Sequence, residues 1–100
     1  MRQITINAAN AFIANRQFGH SNTVVTNFNN EVQMYLFTNK IAYTENGKLF
    51  INSCGWMTNT TKERLNALPN VSIRQKKGKW YLNGVEWDGK LICVDTLNEK

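Results

Sequence analysis

The chain has 100 residues, a hydrophobic fraction of 42% and a formal net charge of +5. That length and composition fit one folded domain with a modest core and exclude a disordered tail. No apolar run approaches the roughly 18 residues of a membrane span, and the start MRQITINAANAF lacks the apolar stretch of a signal peptide, so the cytoplasm is the expected compartment.

Residues 2–6 alternate in polarity and predict a short strand. Asn7 then reads as the N-cap of a helix to about Gln17, with Ala8, Ala9, Phe12 and Ile13 facing the core and Gly19 as a stop. Residues 22–28 and 31–38 read as strands on either side of an Asn29-Asn30 turn. In the second of these, Val32, Met34 and Leu36 alternate with Gln33, Tyr35 and Phe37, giving one aliphatic face and one partly aromatic face. Residues 41–44 and 48–52 flank Glu45-Asn46-Gly47, a strong hairpin signal. A second helix starts near Thr58, where Thr60 followed by Glu63 fits a capping box. Leu65 and Leu68 point inward, and Pro69-Asn70 ends the helix.

Strands follow at 71–76, 79–82 and 91–94, punctuated by Lys77-Gly78, Asn83-Gly84 and Asp88-Gly89. The last two turns are five residues apart, too close for two tight turns around a full strand, so one is a bulge or a wider loop. The sum is α+β: an antiparallel sheet of about five to seven short strands with two short helices. No βαβ rhythm of a nucleotide-binding sheet is present. Asparagine is abundant, which suits caps and turns and also suits an AT-rich genome.

Charge is unevenly placed. Residues 62–79 hold six cations (Lys62, Arg64, Arg74, Lys76, Lys77, Lys79) and one anion, Glu63; six minus one equals the +5 of the whole chain. Such a cluster attracts polyanions or acidic protein surfaces. A two-residue Lys77-Gly78 loop would pair Lys76 with Lys79, Gln75 with Trp80, Arg74 with Tyr81 and Ile73 with Leu82. Alternation then puts Val71, Ile73, Trp80 and Leu82 inside and Arg74, Lys76, Lys79 and Tyr81 outside. Like charges directly opposite cost about 0.2–1 kcal/mol unless an anion compensates. Cations beside an aromatic ring suit a phosphate backbone with its base; the alternative is a solvated tip that resists edge pairing.

Lys62 and Arg64 fall early in the second helix, where the dipole disfavours cations and an anion at Thr58, Thr60 and Thr61 would help; ordinary capping explains the threonines equally. Trp80 and Trp87 pair across the Asn83-Gly84 turn in the core. Trp56, after Gly55, is either a lid on the core or an exposed anchor for a partner.

Nothing points to catalysis. His20 is the sole histidine, and Glu31, Glu45, Glu63, Glu86, Asp88, Asp95 and Glu99 fall mostly in turns and tails. Cys54 and Cys93 read as buried thiols of a reducing compartment. Two distant cysteines and one histidine do not make a zinc site. No phosphate-cradling Gly-rich motif occurs. The expectation is a non-enzyme without metal or cofactor.

The stretch Cys54-Gly55-Trp56-Met57-Thr58-Asn59-Thr60-Thr61-Lys62-Glu63-Arg64-Leu65-Asn66 and the stretch Trp80-Tyr81-Leu82-Asn83-Gly84-Val85-Glu86-Trp87-Asp88-Gly89, with Ser21 to Val25 and Leu36 to Ala42, resemble a group of small proteins of tailed bacteriophages. The resemblance implies a phage origin and a location in the cytoplasm of the infected bacterial host. It carries over no catalytic residue. It suggests an accessory protein that binds host machinery acting on nucleic acid, anti-defence inhibition being one form. Arg74, Lys76, Lys77, Lys79 and Tyr81 are the expected contacts, with Lys62, Arg64 and Trp56 as second choices. Direct DNA or RNA binding through the same face is the rival, and capture of a small anionic nucleotide between subunits is a third reading. Homodimer formation through a sheet edge is compatible with all three, and no membrane contact is expected.

Overall fold

The computed structural model describes residues 1–97. Helix α1 (Gln3–Ile13) leads into strands β1 (Phe18–His20), β2 (Thr23–Phe28), β3 (Glu31–Leu36), β4 (Asn39–Glu45) and β5 (Lys48–Ile51). Helix α2 (Asn59–Asn66) follows, then β6 (Ile73–Lys76), β7 (Lys79–Leu82), β8 (Val85–Trp87), β9 (Ile92–Cys93) and the turn of helix α3 (Val94–Leu97). A six-stranded sheet runs in the order β1-β2-β3-β4-β5-β9, and a three-stranded sheet in the order β6-β7-β8; every pairing is antiparallel. The α+β class holds, with more and shorter strands than the sequence suggests.

The first element departs from expectation. Residues 3–6 are helical and not a strand. Alternation would bury Ile4 and Ile6, yet Ile6 is exposed and Thr5 is the buried residue. Thr5, Ala8, Ala9 and Phe12 form a stripe of helical spacing, and Ile13, expected inside, lies outside. The helix ends at Ile13 with Ala14 as its C-cap, rather than running to about Gln17 with Gly19 as its stop. Asn15 takes a φ of 56°, and the amides of Asn15 and Arg16 bond back to Phe12 and Ala11 in a Schellman closure. Gly19 is freed to join β1.

Turn chemistry explains most of the sheet. Asn29-Asn30, Asn46-Gly47, Lys77-Gly78 and Asn83-Gly84 each place two successive residues at positive φ, the condition of a type I′ hairpin turn. Six asparagines (Asn15, Asn29, Asn30, Asn46, Asn70, Asn83) adopt positive φ, so their abundance has a structural use. Phe37-Thr38 makes the fifth such turn, at φ 50° and 69°. These residue types seldom accept that conformation.

A bulge in β4 follows: the register slips between Met34 and Tyr35, so Ile41 and Ala42 are buried in succession. Of the two closely spaced turns, Asn83-Gly84 is the tight one, with Leu82 paired to Val85 across it, and Asp88-Gly89 lies in the wider connection from β8 to β9.

One core joins both sheets. Met34, Ala42 and Ile51 from the large sheet, Ala8 and Phe12 from α1, Leu65 and Leu68 from α2, and Ile73, Trp80, Leu82 and Trp87 from the small sheet belong to a single buried cluster. Trp80 and Trp87 lie 6.1 Å apart, tilted by 40°. The opposite face of the large sheet carries Tyr43 stacked on Phe50 at 5.0 Å, with the Lys40 ammonium 4.8 Å from the Tyr43 ring. Gly89 locks the segment after β8 against the one after β5. Its carbonyl accepts from the Ser53 amide at 2.8 Å, and a Cβ added to it would lie 2.5 Å from Ser53 Oγ, at a φ of +85°. Gly89→Ala therefore lowers stability by about 1–3 kcal/mol, measured as a shifted urea midpoint.

Candidate docking surfaces

Arg64 is not a surface cation. Only 1% of it is exposed, so its expected role as a partner contact is overturned. Its Nε donates to Thr23 Oγ1 at 3.0 Å, and Nη1 donates to Glu63 Oε1 at 2.8 Å and to the Thr5 hydroxyl. Burial pulls the guanidinium pKa down, the like charge of Arg2 adds to this, and Glu63 opposes it. Glu63 in turn accepts from the Thr5 hydroxyl at 2.6 Å and from Arg2 Nε at 2.9 Å. The Thr5 hydrogen bond, countered by partial burial and reinforced by Arg2, holds its carboxyl at about 2 against an ordinary 4.5.

Glu63 is thus not the partner of Thr60 in a capping box. Thr58 is the N-cap of α2, its Oγ1 accepting from the Thr61 amide at 3.2 Å. Glu63 reaches instead to the start of α1, which has no side-chain cap of its own. A carboxylate there suits the positive end of the helix dipole. Arg64 lies in the last turn of α2, where the dipole favours a cation rather than opposing it.

With Arg64 and Glu63 paired, five cations remain. The β6–β7 hairpin has the expected register, with Lys76 opposite Lys79 and Arg74 opposite Tyr81. Arg74, Lys76, Lys77 and Lys79 are exposed and Tyr81 is half-buried. Arg74, Lys76 and Tyr81 border a shallow concavity of about 740 Å³, together with Gln75 and Gly84. Among the described residues a single carboxylate approaches: Glu86 Oε1 lies 3.7 Å from Lys79 Nζ, both groups well exposed. Such a pair is worth little, so the patch keeps a strong positive field.

Lys62 is set apart from this outer face. It is half-buried, its Nζ donates to Gln75 Oε1 at 2.8 Å, and it stands 5.8 Å from the Trp80 ring. It ties α2 to the hairpin. Asn66 does the same through two bonds to Ile73, accepting from its amide at 2.6 Å and donating to its carbonyl at 3.1 Å.

Trp56 is exposed, so it is not a lid on the core. It stands beside a cleft of about 520 Å³. Leu36, Phe37 and Ile41 form apolar walls, while Asn39, Ser53, Thr58, Thr60 and Thr61 supply amide and hydroxyl groups. Sequence reasoning found Trp56 and missed Phe37, because the alternation of β3 runs through it unbroken. Cys54 and Cys93 are free and half-buried; burial raises the Cys54 thiol pKa, and its Sγ lies 3.2 Å from the Lys40 carbonyl oxygen. Glu99 lies outside the described residues. Among the described residues no helix is long and apolar enough to cross a membrane, and no three of His, Cys, Asp and Glu gather as metal ligands do.

These features define a small α+β protein with a basic hairpin and a separate cleft beside Trp56. The chain matches the model of the Kyanoviridae Gp96 protein family over residues 1–96 and belongs to that family. It is a protein of tailed phages. No curated protein and no solved structure matches it.

Two arginines of one segment should behave oppositely. Arg64→Ala costs about 3 kcal/mol, because it unpairs a buried polar cluster and leaves a void, whereas Arg74→Ala stays within about 0.5 kcal/mol; chemical denaturation of both variants checks this. The carboxyl of Glu63 also sets an acid limit. Its folded pKa is below the unfolded value, so its contribution is complete above pH 4.5 and is lost as the pH falls through about 2. The thermal midpoint of the wild type should fall across that window, and Glu63→Gln should flatten the fall.

Proposed function

We propose that the protein is a non-enzymatic phage accessory protein that docks its basic hairpin onto host machinery acting on nucleic acid and alters its action. The place of action is the cytoplasm of the infected cell, and anti-defence inhibition is one form of the activity. The observation that carries the reading is the exposed Lys76–Lys79 pair, flanked by Arg74 and Tyr81 on the same face. Two lysines held opposite each other weaken an isolated hairpin; an acidic surface laid over them reverses that sign. The partner presents carboxylates or a surface that normally holds DNA or RNA. Long-range attraction sets the association rate, and Tyr81 supplies the rigid contact. The family membership supports the phage setting.

The test is capture of partners by tagged protein from host lysate, with and without nuclease, using wild type and the K76E/K77E/K79E variant. A host protein retained after nuclease and lost with the variant is the expected result. Undiminished capture by the folded variant rules the hairpin out. Capture that vanishes with nuclease, and falls steeply between about 50 and about 200 mM salt, replaces the proposal with direct nucleic-acid binding.

A further inference from the structure

Two Asn-Gly pairs occupy matching turns in different surroundings. Asn46-Gly47 joins β4 to β5, at φ 53° and 77°, and Asn83-Gly84 joins β7 to β8, at φ 50° and 87°. Asparagine is a thermally labile residue. The next residue's backbone nitrogen can attack its carboxamide, and a glycine there has no Cβ to obstruct the approach. The other asparagines at positive φ, Asn15, Asn29, Asn30 and Asn70, each precede a residue with a Cβ.

The two pairs differ at the asparagine. Asn83 is half-buried and held at both ends of its carboxamide. Its Oδ1 accepts from the Ser72 amide at 2.8 Å, and its Nδ2 donates to the Asn70 carbonyl at 2.9 Å. Its backbone amide donates to the Ser72 carbonyl at 2.8 Å. Asn46 and Gly47 are both exposed, and among the described residues the Asn46 carboxamide has no hydrogen-bond partner. Nothing lies within 4 Å of where a Gly47 Cβ would stand.

We infer that Asn46 is a self-modifying site, which the folded protein converts to aspartate and isoaspartate while Asn83 is spared. The Gly47 nitrogen bonds to Asn46 Cγ, the Cγ–Nδ2 bond breaks, and Nδ2 leaves as ammonia with the proton from Gly47. Water then opens the cyclic imide. Breaking the bond from Cγ to the Gly47 nitrogen gives aspartate. Breaking the bond from the Asn46 carbonyl carbon to that nitrogen gives isoaspartate, with the chain running through Cγ. The attack needs the carboxamide to swing over the Gly47 nitrogen, so the turn must open locally. Opening costs no side-chain hydrogen bond at Asn46 and two at Asn83, which hold Asn83 back by about tenfold or more.

The products alter the turn. Aspartate sets a second negative charge beside Glu45 and lowers the net charge by one unit. Isoaspartate lengthens the main chain of a two-residue turn, so the pairing of Glu45 with Lys48 loses its register. The inference does not depend on the proposed function.

The test incubates the folded protein at mildly alkaline pH and follows both sites by mass spectrometry. They fall in separate tryptic peptides, 41–48 and 80–90, and a zero-time sample subtracts what digestion causes. Methyl transfer by a protein isoaspartyl methyltransferase counts isoaspartate. The expected result is conversion of Asn46 about tenfold or more faster than Asn83, with the two rates converging in guanidinium chloride. Asn46→Gly keeps a residue suited to a type I′ turn and should remove most of the methyl-accepting signal. Asn83 reacting in the folded protein as fast as Asn46 overturns the inference. So does an Asn46 that stays intact while the denatured chain is converted. A contrast that persists undiminished in denaturant also overturns it, because flanking sequence and not the fold would then set the rates.

Discussion

A buried guanidinium organises this protein. Arg64 sits in the core with almost no exposure, and a charge in that position is tolerated only when paired and hydrogen-bonded. Its donors reach Thr23 on β2, Thr5 on α1 and its own neighbour Glu63. Glu63 is drawn in turn to the first turn of α1, where it meets Arg2 and Thr5. Three elements far apart in the chain are thereby fixed around one group. The orientation of α2 follows from that, and so do both surfaces. The start of α2 lines the cleft beside Trp56 with Thr58, Thr60 and Thr61. Its outer side carries Lys62 to Gln75 and Trp80 on the small sheet.

The same arrangement divides the positive charge. In sequence, residues 62–79 look like one basic run. In space the run separates into three parts. Arg64 is structural, Lys62 is a strut between helix and hairpin, and Arg74, Lys76, Lys77 and Lys79 face solvent. Of this run, only the last group is fully exposed. The Arg64–Glu63 pair is neutral, so the field of the exposed lysines is not diluted by it. Separation of the basic face from the cleft beside Trp56 gives one small domain two chemically different surfaces.

Much of this was legible in the residues, and for identifiable reasons. Asn-Gly and Lys-Gly turns, together with strict alternation, specify register, so the pairing of β6 with β7 and of Trp80 with Trp87 could be read directly. Only the first turn of α1 reads as a strand, because Ile4 and Ile6 imitate one, while the true signal is a buried threonine whose partners lie about sixty residues away. Long-range polar contacts of that kind leave no local pattern. Arg64 could have been recognised from its place beside Leu65 in the stripe Thr61, Arg64, Leu65 and Leu68, all of them buried. The Phe37-Thr38 turn could not, since neither residue type advertises positive φ. The cleft depends on that turn; of its lining, Trp56 and the threonines Thr58, Thr60 and Thr61 stand out in the sequence.

In the proposed function the exposed hairpin lysines, and not the other cations, meet the partner. Lysine-specific cross-linking in infected cells, read by mass spectrometry, addresses it most directly. The expected result is cross-links from Lys76, Lys77 or Lys79 to a host protein that acts on nucleic acid. Cross-links to such a protein that arise only from Lys40, Lys48 or Lys90 would contradict it.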